Sequence, residues 1–145
     1  MIRSFGVAVA LVAAALVSGC AGVPMASPEQ DTAAKQFRAE PGKAALYVYR
    51  NETFGAALKM PVVVDDMPVG ETASKTYIYR SLTPGKHVVT AKTEGNSTVT
   101  IDARPGATYF VWQEVKMGMV SGRSELHVVD EATGKQGVAE CKLVQ

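Results

Sequence analysis

The sequence predicts a mainly β protein, a single antiparallel β-sandwich preceded by a signal peptide and a short N-terminal helix. Proline, glycine and asparagine mark turns at intervals of about 8 to 12 residues after Lys43, which is typical of a sandwich or barrel. Between the turns, apolar and polar residues alternate with a period of two, as in half-buried strands. The chain of 145 residues is long enough for one such domain with its own core.

The first residues have the composition of a secretory signal. Arg3 supplies a basic start, and an apolar run from Phe5 to Val17 follows it. This run is too short to span a bilayer, which requires about 18 to 20 apolar residues. Small residues then lead directly into Cys20, so we predict cleavage before Cys20 and a signal peptide over residues 1–19.

The segment around the cleavage site, Leu16–Cys20, resembles the bacterial lipobox. This resemblance implies that the Cys20 thiol carries diacylglycerol and that further acylation, such as palmitate, completes a permanent anchor. Ala21 follows the cysteine, where an aspartate tends to retain lipoproteins in the inner membrane. The resemblance therefore implies an outer-membrane lipoprotein that faces the periplasm. The alternative is a soluble secreted protein in which Cys20 is incidental.

Residues 20–42 are predicted to form a lipid-anchored tether that carries one short helix. Ser27 is a candidate N-cap, Pro28 suits the first helical position, and Gln30 completes a capping box. The helical pattern continues until Pro41–Gly42 stops it. With little apolar area, this helix needs to dock on the domain to be stable.

The β-sandwich domain is predicted over residues 43–145. Its segments 44–50 and 108–115 are apolar on both faces, which suits central strands. Asp65–Asp66 forms a tight turn into a short strand that Pro68 places at a sheet edge, because proline cannot donate to a ladder. The full set of predicted strands is 44–50, 60–65, 67–71, 76–80, 87–92, 97–103, 108–115, 124–129 and 138–144.

Two features are expected near the C-terminus. Asp130 can cap a single helical turn before Gly134. Cys141 alternates with Ala139 and Leu143 in the last strand, so we expect it to be a small core residue rather than a reactive thiol. If Cys20 is acylated, Cys141 has no partner within the chain and a disulfide is excluded.

The composition limits the class of partner. Lys plus Arg (15) and Asp plus Glu (14) nearly balance, and the basic residues form no run. This balance argues against nucleic acid and against a polybasic lipid-binding face.

Two further resemblances extend over the domain. Val62–Thr72 and Leu82–Val89 resemble PEGA-type surface modules of bacterial envelope proteins, with Asp66 where a glycine is commoner in the hairpin turn. Tyr47–Arg50 and Gln113–Gly118 resemble a family of small prokaryotic lipoproteins with an uncharacterised β-rich domain. That likeness covers nearly all of the chain after the tether. It implies a single-domain lipoprotein and no assigned activity.

No catalytic or metal-binding constellation is visible in the sequence. It contains no G-x-S-x-G, P-loop or dinucleotide fingerprint. We expect His87 to be a structural histidine bonded to a nearby backbone carbonyl, and His127 to be solvated. Two histidines without further ligands do not make a zinc site. Met117 and Met119 could ligate copper(I) with a third ligand, but loop packing is the simpler interpretation. We therefore expect no metal and no cofactor.

Two loops contain more apolar residues and glycine than a solvated loop requires, namely 54–58 and 116–123. Loops of a sandwich commonly carry its binding function, so they are candidate partner-binding loops. The alternative is that both fold back over the open ends of the core. Burial of both Phe54 and Met119 would remove the motivation for the binding hypothesis. The candidate contact residues are Phe54, Leu58, Met117, Met119 and Arg123.

The sequence favours a non-catalytic module that binds or scaffolds in the envelope, with an envelope protein as its partner. The alternative is a periplasmic lipoprotein that binds a ligand or inhibits an enzyme, and an enzyme ranks third. A cavity inside the sandwich would favour the ligand binder, whereas an exposed apolar patch would favour the scaffold.

Overall fold

A computed structural model describes residues 22–145, so the predicted signal peptide and Cys20 lie outside the described residues. Two β-sheets pack face to face, which confirms the predicted β-sandwich. The strands are β1 Ala44–Arg50, β2 Met60–Val64, β3 Met67–Thr72, β4 Thr76–Leu82, β5 Gly85–Ala91, β6 Ser97–Ala103, β7 Thr108–Met117, β8 Gly122–Val129 and β9 Lys142–Leu143; the helices are α1 Pro28–Ala34 and α2 Glu131–Ala139.

The larger sheet has the strand order β8-β7-β1-β4-β9. As predicted from its apolar faces, β1 is central, and all seven of its residues are buried. This sheet is mixed rather than purely antiparallel, because β1 pairs in parallel with β7 and β4 in parallel with β9. The chain builds the second sheet between β1 and β7, and that excursion returns β7 to the side of β1 in the same direction.

The smaller sheet is antiparallel throughout, with the order β3-β2-β5-β6. Its two edge strands are β3 and β6, and the edge position of β3 confirms the prediction from Pro68. The β2–β3 hairpin turns through Asp65 and Asp66, whose φ angles are 50° and 63°. Both residues therefore adopt the left-handed conformation that a two-residue hairpin turn requires, without a glycine.

Two apolar layers stabilise the fold. The first lies between the sheets and includes Leu46, Val48, Val62, Val89 and Val111. Full burial of each such side chain contributes about 1.5–3 kcal/mol. The second layer lies on the outer face of the larger sheet. There α2 packs on Tyr49 and Phe110. Tyr47 and Tyr77 are contacted by α1, and Tyr47 also by Phe37 after it.

The C-terminal prediction is partly wrong. Asp130 caps a helix as expected, with its carboxylate accepting from the Thr133 amide at 2.8 Å. The helix, however, continues through Gly134 to Ala139, and only Lys142–Leu143 of the predicted final strand is a strand. Glycine is used here for close packing: a Cβ at Gly134 would lie 2.1 Å from Phe110 Cγ. Cys141 is buried, as expected.

The N-terminal helix begins as predicted. Ser27 and Gln30 form the capping box, and Pro28 is the first residue of α1. The helix ends at Ala34, earlier than the proline–glycine stop. The segment expected as a tether is packed on the domain from Val23, which is 8% exposed and joins the sandwich core. Met25 pairs with Val144 beside β9.

Candidate functional site

Four connections meet at one end of the sandwich, which we call the loop end: residues 51–59, 73–75, 92–96 and 118–121. They meet there because β1, β3, β5 and β7 all finish at this end, and each next strand starts from it. Both candidate partner-binding loops are therefore brought to the loop end. The opposite end carries the hairpin turn at Asp65–Asp66.

The apolar side chains of these two loops are exposed. Phe54 is 51% exposed, Met117 80%, Met119 95% and Val120 94%. The interpretation that both loops fold back over the core is therefore wrong for these side chains. Exposed apolar groups that lie side by side mark interaction sites more often than scattered ones do.

A groove of about 330 Å³ separates the two loops. Phe54 and Leu58 line one side, and Met117 and Val120 line the other. Leu58 is half-buried and lies under Gly122, where a Cβ would come within 2.4 Å of Leu58 Cδ1. The candidate residues Met119 and Arg123 are exposed and do not line this groove.

Glu94 holds the second candidate loop, residues 116–123, in place. Its carboxylate accepts hydrogen bonds from the backbone amides of Met119 at 2.8 Å, Val120 at 3.0 Å and Ser121 at 2.9 Å. These hydrogen bonds lower the pKa of Glu94 below its ordinary value, and the one from the Ser121 amide has the largest effect. Sequence reasoning missed this role, because Glu94 lies in a different loop and nothing local indicates the contact.

Arg50 holds the first candidate loop, residues 54–58, in place. It is the last residue of β1 and is fully buried. Its guanidinium donates to the carbonyl oxygens of Leu58 and Gly55, both at 2.7 Å. Burial lowers the pKa of Arg50. A charged residue at the end of a strand that is apolar on both faces was the available signal in the sequence, and it was missed.

His87 is a structural histidine, as predicted. Its Nε2 atom lies 2.6 Å from the carbonyl oxygen of Thr83, and its Nδ1 atom lies 2.5 Å from the Asp65 carboxylate. Both partners are acceptors, so the ring satisfies them together only when it is protonated. The bond to Asp65 accordingly raises the pKa of His87. Both ring nitrogens are occupied, which leaves neither one available to a substrate.

A second polar cluster lies on the outer face of β7 and β8. Single ligand atoms of Glu114, Glu125 and His127 lie within 4.8 Å of one another. The Lys116 ammonium lies 2.9 Å from Glu125 and 3.7 Å from Glu114, so it already supplies the cation for these carboxylates. His127 is also more engaged than the expected solvated side chain, because it bonds to Glu114 at 2.8 Å and stacks on Trp112.

Cys141 has the properties of a core residue. It is 1% exposed, and burial raises the pKa of its thiol to about 12. A thiol in this state is a poor nucleophile.

Within residues 22–145, no helix is both long and apolar enough to cross a membrane.

Comparisons with known proteins identify a family. A family model described as "Protein of unknown function (DUF2846)" matches residues 40–125. An uncharacterized protein of Haemophilus influenzae is 38% identical over 132 residues, which are 90% of this chain and 79% of that protein. No solved structure matches the chain. The chain therefore belongs to the DUF2846 family, whose function is unknown.

Proposed function

We propose that this protein is an outer-membrane lipoprotein, anchored through acyl chains on Cys20 and facing the periplasm, whose sandwich is a non-catalytic binding or scaffolding module. Its contact surface is the loop end. The observation that carries the proposal is the display of Met119 and Val120, at 95% and 94% exposure, on a loop that Glu94 fixes.

The way the loops are held supports a contact surface. Each is fixed through its backbone, one by the buried Arg50 guanidinium and the other by the Glu94 carboxylate. These contacts leave the apolar side chains directed away from the core. A loop that served only to cover the core would bury such side chains instead.

The engagement of both histidines supports a non-catalytic role. His87 has an acceptor at each nitrogen, and His127 is paired with Glu114 and stacked on Trp112. A general base requires a ring nitrogen within reach of a substrate.

A small-ligand binder is the second candidate, because the groove of about 330 Å³ falls at the lower limit of ligand pockets, which hold about 300–1,000 Å³. The position of Met119 favours the contact surface over this alternative. It is the most exposed of the apolar side chains, and it lies outside the groove.

The anchor is proposed on the lipobox resemblance of Leu16–Cys20. The resemblance to PEGA-type modules stays a prediction. It supports only a location in the cell envelope and no particular partner. Intact mass and membrane fractionation of the wild type beside Cys20→Ala test the anchor. We expect a mature mass raised by acyl chains and release of the variant from the membrane. An unmodified, soluble wild type would overturn the proposal.

A further inference from the structure

We infer that the loop end rests on the lipid surface in which the Cys20 acyl chains are anchored, with Phe54, Met117, Met119 and Val120 entering the headgroup region. The inference rests on the proposed anchor and names the partner of the contact surface. It replaces the envelope protein that the sequence favoured with lipid, for the geometric and chemical reasons that follow.

The first reason is the place where the chain enters the fold. Gly22 and Val23 line a surface depression together with the turn at Ala73–Thr76, which belongs to the loop end. Val23 is held in the core, so the domain begins there. Cys20 lies two residues before Gly22, and a chain reaches at most about 3.6 Å per residue. An anchor on Cys20 therefore holds this part of the domain within about 7 Å of the bilayer.

The turn at Ala73–Thr76, beside which the chain enters the fold, is rigidly joined to both candidate partner-binding loops. Ser74 Oγ donates to the carbonyl oxygen of Glu52 at 2.7 Å, which ties the turn to the first loop. The Glu52 carboxylate accepts from the Val115 amide at 2.8 Å, near the start of the second loop. The anchor point and the exposed apolar side chains thus belong to one end of one rigid unit.

The short connection also disfavours a protein between the loop end and the membrane. A helix with its side chains is about 10–12 Å across, whereas the connection from Gly22 to Cys20 reaches about 7 Å. A protein partner would therefore not fit between the bilayer and the part of the loop end that lies next to Gly22. Lipid headgroups need no such gap.

The chemistry of the loops fits an interface. Segments 53–59 and 116–123 contain no acidic residue and three cationic ones. Lys116 is paired with Glu125 and Glu114, whereas Lys59 and Arg123 form no ion pair among the described residues. The Glu94 carboxylate beneath the second loop is directed at backbone amides. Exposed apolar side chains among cationic ones are typical of segments that lie in the headgroup region of anionic lipid. Because the acyl chains supply the affinity, the loops set the orientation of the domain.

The test places a fluorescent thiol label on the protein in vesicles of phosphatidylethanolamine and phosphatidylglycerol. Met119→Cys carries the label at the loop end, and Met67→Cys carries it on an exposed methionine at the opposite end, 69% exposed. Cys141 is buried and does not compete for label. The vesicles contain a spin-label quencher in their acyl chains. The mass of the N-terminal peptide is measured on the same samples.

We expect the label at position 119 to shift to the blue and to be quenched by the spin-labelled lipid, with neither change at position 67. Equal, water-like emission at both positions would overturn the inference while an acylated peptide upheld the anchor. A blue shift at 119 without lipid quenching would also overturn it, because it would place the label against a second copy of this chain rather than against lipid. An unacylated Cys20 would overturn the anchor itself, and the inference with it.

Discussion

Glu94 Oε2 accepts a hydrogen bond from the backbone nitrogen of Ser121 at 2.9 Å, across 27 positions of sequence. The same carboxylate also binds the amides of Met119 and Val120. A loop that displays apolar side chains to solvent is thereby fixed from beneath by one charged group. The conformation of the loop therefore depends on hydrogen bonds to its backbone, and its apolar side chains can stay exposed.

Replacing Glu94 by Gln should loosen that loop. The neutral amide oxygen is a weaker acceptor than the carboxylate, so the amides of Met119, Val120 and Ser121 should exchange hydrogen faster. Glu71→Gln, at an exposed position of β3, is the matched control and should leave them unchanged. Because the pKa of Glu94 is lowered, wild-type protection should persist at neutral pH and disappear as the pH falls through that lowered value. Unchanged exchange in Glu94→Gln would refute this account of the loop.

Replacing Arg50 by Met should destabilise the domain and free the first loop. The carbonyl oxygens of Gly55 and Leu58 would lose their buried donor, and each unsatisfied group costs about 1–3 kcal/mol. Arg38→Met removes an exposed arginine and should change the free energy of unfolding by less than about 0.5 kcal/mol. Urea denaturation compares the two. Equal stability of both variants would show that Arg50 does not hold the loop.

The His87–Asp65 pair should make stability depend on pH in a defined direction. The pKa of His87 is raised above its ordinary value of 6.5, so its contribution is complete below that value and is lost as the pH rises through the raised one. The pKa of Asp65 is lowered from 3.8, so its contribution is lost in acid. Because Asp65 is 46% exposed, the pair contributes less than about 1 kcal/mol.

The comparison is between Asp65→Asn and Asp66→Asn, which alters the neighbouring carboxyl of the same turn. Unfolding free energies measured near pH 5.5 and near pH 8.5 bracket the ordinary histidine value. Asp65→Asn should lose stability at the lower pH and less at the higher one, whereas Asp66→Asn should show no such difference. The same pH dependence in both variants would argue against the pair.

Substituting Ala for Gly134 or Gly137 should destabilise the protein, although alanine is the better helix former by about 1 kcal/mol. The added Cβ would lie 2.1 Å from Phe110 in the first case and 2.2 Å from Tyr49 in the second. Overpacking of this kind typically costs about 1–3 kcal/mol. Gln136→Ala, on the exposed face of α2, should not destabilise. Thermal unfolding checks the sign, and a stabilised Gly134→Ala would contradict the packing described for α2.

The sequence was sufficient for features that depend on local pattern. The uninterrupted apolar run of β1 places it at the centre of its sheet, and Pro68 places β3 at an edge, because each is a property of one segment. These predictions required no knowledge of distant neighbours. The exposure of Phe54 and Met119 was not among these predictions, since an apolar loop can either fold back over the core or face solvent, and the sequence left both outcomes open.

The features that sequence reasoning missed depend on contacts between distant segments. Gly134 and Gly137 read as helix breakers until Phe110 and Tyr49 are seen to pack against them. The parallel pairing of β1 with β7 could not be read from either strand, because it depends on the route of the chain through the second sheet. Glu94 reads as an ordinary turn residue, although its carboxylate organises another loop.

The most direct test of the proposed role is photo-crosslinking in intact cells that produce the full chain. A photoreactive residue replaces Met119 in one strain and Met67 in another, and the products are identified by mass. The anchored, membrane-facing module predicts phospholipid adducts at position 119 and none at position 67. Adducts to protein at position 119 would contradict the lipid contact and leave the loop end as a protein-binding surface, whereas adducts to neither lipid nor protein at position 119 would contradict the proposed role itself.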